Sequence, residues 1–187
     1  MRVIAGTYKS RKLKGPGTLR LRPTSDRLRE TLFNVLGPAV KDSLFVDLYS
    51  GTGAIGIEAA SRGAREVYLV ESHKHTASLA RENIETLGIG KSVRMIEDDA
   101  LRGLEKLAAQ RLLADFIFLD PPYKDSEEHL KILEYLDSGH LVAPYGVVIV
   151  EHRKKIEIPG RLDRLERTRV IEQGDTALSF YTLAAAA

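Results

Sequence analysis

Cysteine is absent from the 187 residues. A disulfide scaffold and a thiolate metal site are both excluded by that absence. No apolar run approaches the ~18 residues of a membrane span. The opening Met1-Arg2-Val3-Ile4-Ala5-Gly6 lacks the long apolar core of a signal peptide. A cytoplasmic protein fits these absences. Ligand spacing is also missing from the histidines. His73, His75, His129, His140 and His152 have no carboxylate partner on a shared helix face, so no metal is expected. Ser50 and Ser179 lack a nucleophile-elbow setting. There are no internal repeats and no low-complexity segment. The closing run Ala184 to Ala187 reads as an appended tail without function.

What is present suits one soluble α/β domain. Apolar residues make up 43% and charged residues 29%, ordinary values for a chain large enough to bury a sizeable core. The net charge of +2 hides an asymmetry. Residues 1–30 carry nine Lys and Arg against Asp26 and Glu30, a local +7 that leaves −5 for the remainder. A basic arm on a mildly acidic body is the electrostatic footprint of polyanion binding. A solvated N-terminal face is the plainer alternative.

The arm, residues 1–22, reads as two short strands near 2–5 and 10–14, broken at Gly15-Pro16-Gly17. Pro23-Thr24-Ser25 opens a helix that Thr24 or Ser25 can cap. Leu28, Leu32, Val35 and Leu36 share one face of it, and Gly37-Pro38 ends it. Apolar strands are expected at 44–48, 66–71, 92–97, 115–120 and 146–151, with helices near 54–62, 73–87, 99–110 and 127–138. Such alternation implies right-handed crossovers and a parallel sheet covered on both faces. Strands near 166–173 and 177–183 follow. Gly174-Asp175-Thr176 between them leaves no room for a helix, so they form an antiparallel hairpin. The main α/β domain runs from 23 to 183.

Asp120-Pro121-Pro122-Tyr123 follows the apolar Phe116-Ile117-Phe118-Leu119. The run therefore lies at the end of a buried strand. Proline removes a backbone donor and fixes φ. The corner thus offers carbonyls, a charged acceptor and a flat ring. It suits a planar group bearing an NH₂, such as a nucleobase amine, held by two acceptors and stacked on Tyr123. A strand ending in a proline turn is the bland alternative.

The first strand runs into a glycine loop, Asp47-Leu48-Tyr49-Ser50-Gly51-Thr52-Gly53-Ala54-Ile55-Gly56. Ligands of such sheets bind outside the carboxyl ends of the strands at the topological switch point. Read mechanically, Gly51 to Gly56 is G-x-G-x-x-G, and Glu71 ends the next strand where an acid can hold ribose hydroxyls. That spacing fits a nicotinamide cofactor as literally as S-adenosylmethionine. Asp47 favours the second, because a carboxylate repels a pyrophosphate and attracts a cationic amino acid. Glu97-Asp98-Asp99-Ala100 adds further acid after the third strand. One carboxylate there can accept an adenine amino group, and one can serve as a helix N-cap.

The block Arg22-Pro23-Thr24-Ser25-Asp26-Arg27-Leu28-Arg29-Glu30-Thr31-Leu32-Phe33-Asn34, the loop Asp47 to Gly56 and the Asp120 to Tyr123 corner together resemble the RsmD-type 16S ribosomal RNA guanine-N2 methyltransferases. The likeness extends from Arg2-Val3-Ile4-Ala5-Gly6 to Gly174-Asp175-Thr176-Ala177-Leu178-Ser179-Phe180-Tyr181. It implies a class I methyltransferase fold with a mostly parallel seven-stranded sheet. It implies S-adenosylmethionine as donor and 16S rRNA or the small ribosomal subunit as partner. By this match Asp47, Gly51 and Gly53 line the methionine side, Glu71 the ribose and Asp99 the adenine. Tyr49, Ser50, Ala100 and Asp120 are also assigned to the cofactor site. Asp120, Pro121, Pro122 and Tyr123 form the catalytic corner. Lys9, Arg11, Lys12, Lys14 and Arg22 are the expected RNA contacts. Arg22 and Thr24 can instead reach the methionine carboxylate or simply start the helix. Arg153-Lys154-Lys155 is a solvated loop or a further RNA contact. A monomer away from membranes is expected.

Three other functions are compatible with parts of this pattern. A DNA adenine methyltransferase shares the D-P-P-Y run, but the chain has no spare ~100-residue module for reading a DNA sequence. A nicotinamide-dependent oxidoreductase leaves Asp47 and the Asp120–Tyr123 corner unexplained. A non-catalytic RNA-binding module would need neither the donor loop nor the amine-gripping corner.

Overall fold

The computed structural model describes residues 1–15, 26–121 and 126–184. Helix α1 spans Asp26–Leu36, and a 3₁₀ turn, Gly37–Val40, leads from it to the sheet. Then follow β1 (Leu44–Leu48), α2 (Ala54–Ser61), β2 (Glu66–Val70), α3 (Lys74–Leu87), β3 (Val93–Ile96), α4 (Ala100–Ala109), β4 (Ala114–Leu119), α5 (Ser126–Ser138), β5 (Val142–Arg153), β6 (Leu165–Gln173) and β7 (Thr176–Leu183). The strand order is β3-β2-β1-β4-β5-β7-β6. Pairs from β3 to β5 are parallel, and β7 is antiparallel to both β5 and β6. The expected α/β class, parallel body and terminal antiparallel pair are all present.

Both faces of the sheet are covered. Phe45, Val67, Leu69, Phe116, Phe118 and Ile149 pack on one side with residues of α1, α2 and α3. Val46, Leu48, Ile117, Leu119, Val148 and Val150 pack on the other with α4 and α5. A strand buried on both faces is apolar at nearly every position rather than at alternate ones, as β1 and β4 are apart from Asp47 and Asp115. Phe33 and Phe116 flank Phe45, each with ring centroids 6.0 Å from it. Such pairs contribute about 0.5–1.5 kcal/mol beyond area burial. In α1, Leu28, Leu32 and Leu36 are buried as their spacing predicts, while Val35 sits at the margin and Phe33 takes the deeper place.

Two elements differ from expectation. The two arm strands reduce to a single antiparallel bridge between Arg2 and Lys12. The arm is held instead by packing and by buried acceptors. Val3 and Leu13 join the core, and Glu58, fully buried on α2, accepts the Ile4 and Ala5 amides at 2.7 and 3.0 Å. Gly6, with φ of +81°, passes so close to the end of α2 that a Cβ would lie 1.9 Å from the Ser61 carbonyl. The second difference is β5, which begins at Val142 rather than 146. Pro144 and Gly146 both lie within it. The strand passes through them because its register with β4 shifts between Ala114 and Phe116. A bulge is where a strand tolerates proline, and Tyr145 at this bulge is 97% exposed. The expected capping of α1 by Thr24 or Ser25 lies outside the described residues.

Candidate active site

The chain leaves β1 outward to β2 and β3, then returns to the other side of β1 as β4. This reversal opens a crevice at the carboxyl ends of β1 and β4. Leu48 and Leu119 are in register there. The donor loop after β1 and the Asp120–Pro121 corner after β4 consequently start side by side. Asp120 is half-buried and Pro121 buried. Pro122 and Tyr123 lie outside the described residues.

The donor loop is tied down by two carboxylates. Asp47 is 1% exposed, and its Oδ2 accepts the Gly56 amide at 2.9 Å. Gly56 lies in the first turn of α2, where backbone donors lack helical partners. Burial pushes the Asp47 carboxyl up to about 8, the Gly56 bond pulls it down, and the nearby Glu71 charge raises it further. Glu71 Oε2 accepts the Gly51 amide at 2.8 Å, and Oε1 accepts the His73 amide at 2.7 Å. Glu71 thus joins the loop after β1 to the loop after β2. Gly51 and Gly53 both take positive φ, +55° and +81°, a region open to glycine at little cost. The Ser50 amide donates to the Val70 carbonyl at 3.0 Å. Ser50 Oγ is buried with no hydrogen-bond partner among the described residues. An orphaned hydroxyl at this place fits a loop that receives a polar ligand.

Tyr49 is a non-glycine residue with φ of +58°. Its half-buried hydroxyl donates to Glu128 Oε1 on α5 at 2.6 Å. Burial, the Glu128 bond and the Asp99 charge all hold the phenol well above its ordinary range. Asp99 is the N-cap of α4, accepting the Arg102 amide at 3.0 Å. Asp98 accepts the Asp99 amide at 2.9 Å and pairs with Lys106 at 2.8 Å. The Lys106 bond holds the Asp98 carboxyl below its ordinary value. N-capping, expected for one of this pair, therefore falls on Asp99. Its side chain remains 52% exposed, against 20% for Asp98, so Asp99 is the more accessible acceptor. Ala100 begins α4 beside it.

Asp47, Tyr49, Ser50, Gly51, Gly53, Glu71, Asp99, Ala100, Asp120 and Pro121 are thus gathered at one end of the sheet. Lys9, Arg11 and Lys12 are not. Lys9 and Arg11 flank a turn whose Thr7 and Tyr8 amides rest on Ser61 at 2.8 and 2.9 Å, at the far end of α2. Eight helical residues at 1.5 Å each put that point about 12 Å from the donor loop. Lys9, Arg11 and Lys12 are exposed. Lys14 pairs with Glu82 at 2.6 Å. Arg22 lies outside the described residues. Lys154 at the head of the sheet pairs with Glu172 at 2.8 Å.

Sequence reasoning missed three side chains that shape the site. Glu128 holds Tyr49, Asn83 holds Thr52, and Glu58 holds the arm. Glu58 alone carried a signal, as an acid on the otherwise apolar Ala54–Ser61 helix.

Comparison with known proteins gives this geometry a lineage. A family model described as conserved hypothetical protein 95 matches residues 1–182. YlbH of Bacillus subtilis is 35% identical over 182 residues, 97% of this chain and 98% of its own. Ribosomal RNA small subunit methyltransferase D of Escherichia coli is 35% identical over 161 residues, 85% of this chain and 78% of its own. Among solved structures, that of Escherichia coli yhhF matches with a TM-score of 0.85 at 29% identity, covering 100% of this chain and 99% of that one. Likeness over nearly the whole length, in sequence and in fold, shows that the chain belongs to this family, that of the RsmD-type ribosomal RNA methyltransferases.

Proposed function

We propose that this chain transfers a methyl group from S-adenosylmethionine to the exocyclic N2 amine of a guanine in small-subunit (16S) ribosomal RNA. The observation that carries this reading is the Leu48–Leu119 register, which sets the glycine loop beside the Asp120–Pro121 corner. The relative named for small-subunit RNA methylation supports the acceptor class.

Bound S-adenosylmethionine supplies an already activated sulfonium methyl. Asp47, Ser50, Gly51 and Gly53 hold its methionine end, Glu71 its ribose, and Asp99 with Ala100 its adenine. Asp47 acts through its field, since it is buried behind the Gly56 amide. Ser50 Oγ supplies the loop's spare polar group.

The chemistry left to the protein is alignment of a poor nucleophile. The lone pair of an aryl amine is delocalised into its ring. The Asp120 carboxylate and the Pro121 carbonyl accept the two N–H bonds and leave the lone pair facing the donor. Orientation of this kind contributes up to ~7–11 kcal/mol in the best intramolecular cases. Acceptors fixed where positive charge develops add electrostatic stabilisation. Asp120 need not be a strong base, because the proton becomes acidic as the new bond forms. Tyr123 stacks on the extruded base. Lys9, Arg11 and Lys12 hold phosphates at a distance from the corner. All of these groups come from one chain, as a monomeric enzyme requires.

The test supplies labelled S-adenosylmethionine with small subunits, naked ribosomal RNA or DNA, then identifies the methylated nucleoside by mass spectrometry. N2-methylguanosine in the small-subunit or ribosomal RNA arm is expected. N6-methyladenine in the DNA arm would replace this reading.

A further inference from the structure

Tyr49 belongs to the donor loop by position, yet its hydroxyl donates to Glu128 on α5. Helix α5 begins at Ser126, shortly after the Asp120–Pro121 corner, and Glu128 lies in its first turn. Lys131, 3.6 Å from the other Glu128 oxygen, flanks the same carboxylate. The Tyr49 ring packs with the apolar layer between the sheet and helices α4 and α5. A tyrosine at φ of +58° persists only where its surroundings hold it, and the Glu128 bond is one such hold.

We propose that Tyr49 is a positioning residue: clamped by Glu128, it ties the loop that holds the methyl donor to the helix that anchors the acceptor corner, and so fixes the approach of the amine to the methyl. The proposal rests on the methyl-transfer reading above. Methyl transfer needs nitrogen, carbon and sulfur aligned, and a misplacement of about 1 Å costs on the order of 100-fold in rate. Two loops on adjacent strands share a base but not their tips. A side-chain bond from the first loop to the helix that follows the second removes that freedom.

Four full-length variants test it: Tyr49→Phe, Glu128→Ala, Glu128→Gln and the double variant Tyr49→Phe/Glu128→Ala. Tyr49→Phe and Glu128→Ala lower kcat by about 10- to 100-fold, with the affinity for S-adenosylhomocysteine unchanged. The double variant is no worse than either single one, because both remove the same bond. Glu128→Gln keeps most of the activity, since its amide oxygen still accepts the phenol. A second readout needs no turnover. S-adenosylhomocysteine slows amide hydrogen exchange over 126–130 in the wild type, and this protection is lost in Tyr49→Phe. Normal kcat in Tyr49→Phe overturns the proposal, as does a fall in S-adenosylhomocysteine affinity that accounts for the whole loss. Missing protection in the wild type overturns it too. A wild type that shows the protection but methylates no RNA supports the tether and refutes the guanine reading instead.

Discussion

The side-chain amide of Asn83 donates to the carbonyl of Thr52 at 3.1 Å, across 31 residues of sequence. The same buried side chain receives the Lys14 amide at 2.7 Å and donates to the Lys14 carbonyl at 3.1 Å. One residue of α3 therefore holds both Lys14 of the arm and Thr52 of the glycine loop. Asn83→Ala leaves the Lys14 and Thr52 groups without these partners. We expect a loss of about 1–3 kcal/mol in unfolding free energy and weaker S-adenosylhomocysteine binding. Lys14→Ala keeps the backbone bonds and loses only the surface pair with Glu82, at a cost of about 0–1 kcal/mol. Urea unfolding of the two variants side by side checks the contrast.

Asp47 should make cofactor affinity depend on pH. With its carboxyl pushed up to about 8, Asp47 is mostly protonated at pH 7 in the ligand-free chain. A cationic amino group nearby favours the carboxylate, so binding releases a proton. Affinity for S-adenosylhomocysteine should rise from pH 6 to 7, by at most about tenfold per pH unit. Asp47→Asn keeps an acceptor for Gly56 and removes the charge, so its binding should be weaker and flat with pH. The stability sign runs the other way. Between about 4 and 8 the unfolded chain has lost this proton and the folded chain has not. The fold therefore loses stability from this group as pH rises through that window, and Asp47→Asn abolishes that loss. Calorimetric titration and thermal unfolding at several pH values measure both.

Removing Asp120 should separate chemistry from binding. Asp120→Ala abolishes turnover and leaves S-adenosylhomocysteine affinity nearly unchanged. Tyr123→Ala lowers activity through lost stacking, about 1–3 kcal/mol for a stacked base, while Tyr123→Phe retains most of it. Normal methylation by Asp120→Ala would rule out the proposed grip on the amine.

The arm should reveal itself through salt. RNA affinity is expected to fall with a log–log slope near −0.7 for each single-strand phosphate neutralised. Replacing the exposed Lys9, Arg11 and Lys12 by Ala should flatten that slope and raise the apparent KM for RNA. S-adenosylhomocysteine affinity should stay constant, because the arm is held through backbone groups and buried side chains that these changes leave alone. Equal slopes for variant and wild type would reduce the arm to a structural part.

Local pattern carried most of the fold. Runs such as Leu44–Leu48 and Ala114–Leu119 announced buried parallel strands, and Gly174-Asp175 announced the turn between β6 and β7. The glycine loop and the Asp120 corner were legible because each is a contiguous motif at a strand end. What stayed hidden depends on partners distant in sequence. Glu128 meets Tyr49 across 79 residues and Glu58 meets Ile4 across 54. Neither contact leaves a periodic trace. The start of β5 also stayed hidden, since a bulge lets the strand run on from Val142 through Pro144. For Asp99 the two assignments coincide in one side chain, which caps α4 and is open enough to meet a ligand.

The placement of β7 governs when the molecule can be completed during synthesis. It is the latest of the seven strands in sequence, yet it lies between β5 and β6 rather than at an edge. Until Thr176–Leu183 has emerged from the ribosome, β5 lacks its antiparallel neighbour and β6 lacks the strand it pairs with along its length. Leu178, Phe180 and Tyr181 then add to both apolar layers in a single event. The glycine loop and the Asp120 corner are translated long before this, but the sheet is complete only once β7 lies between β5 and β6.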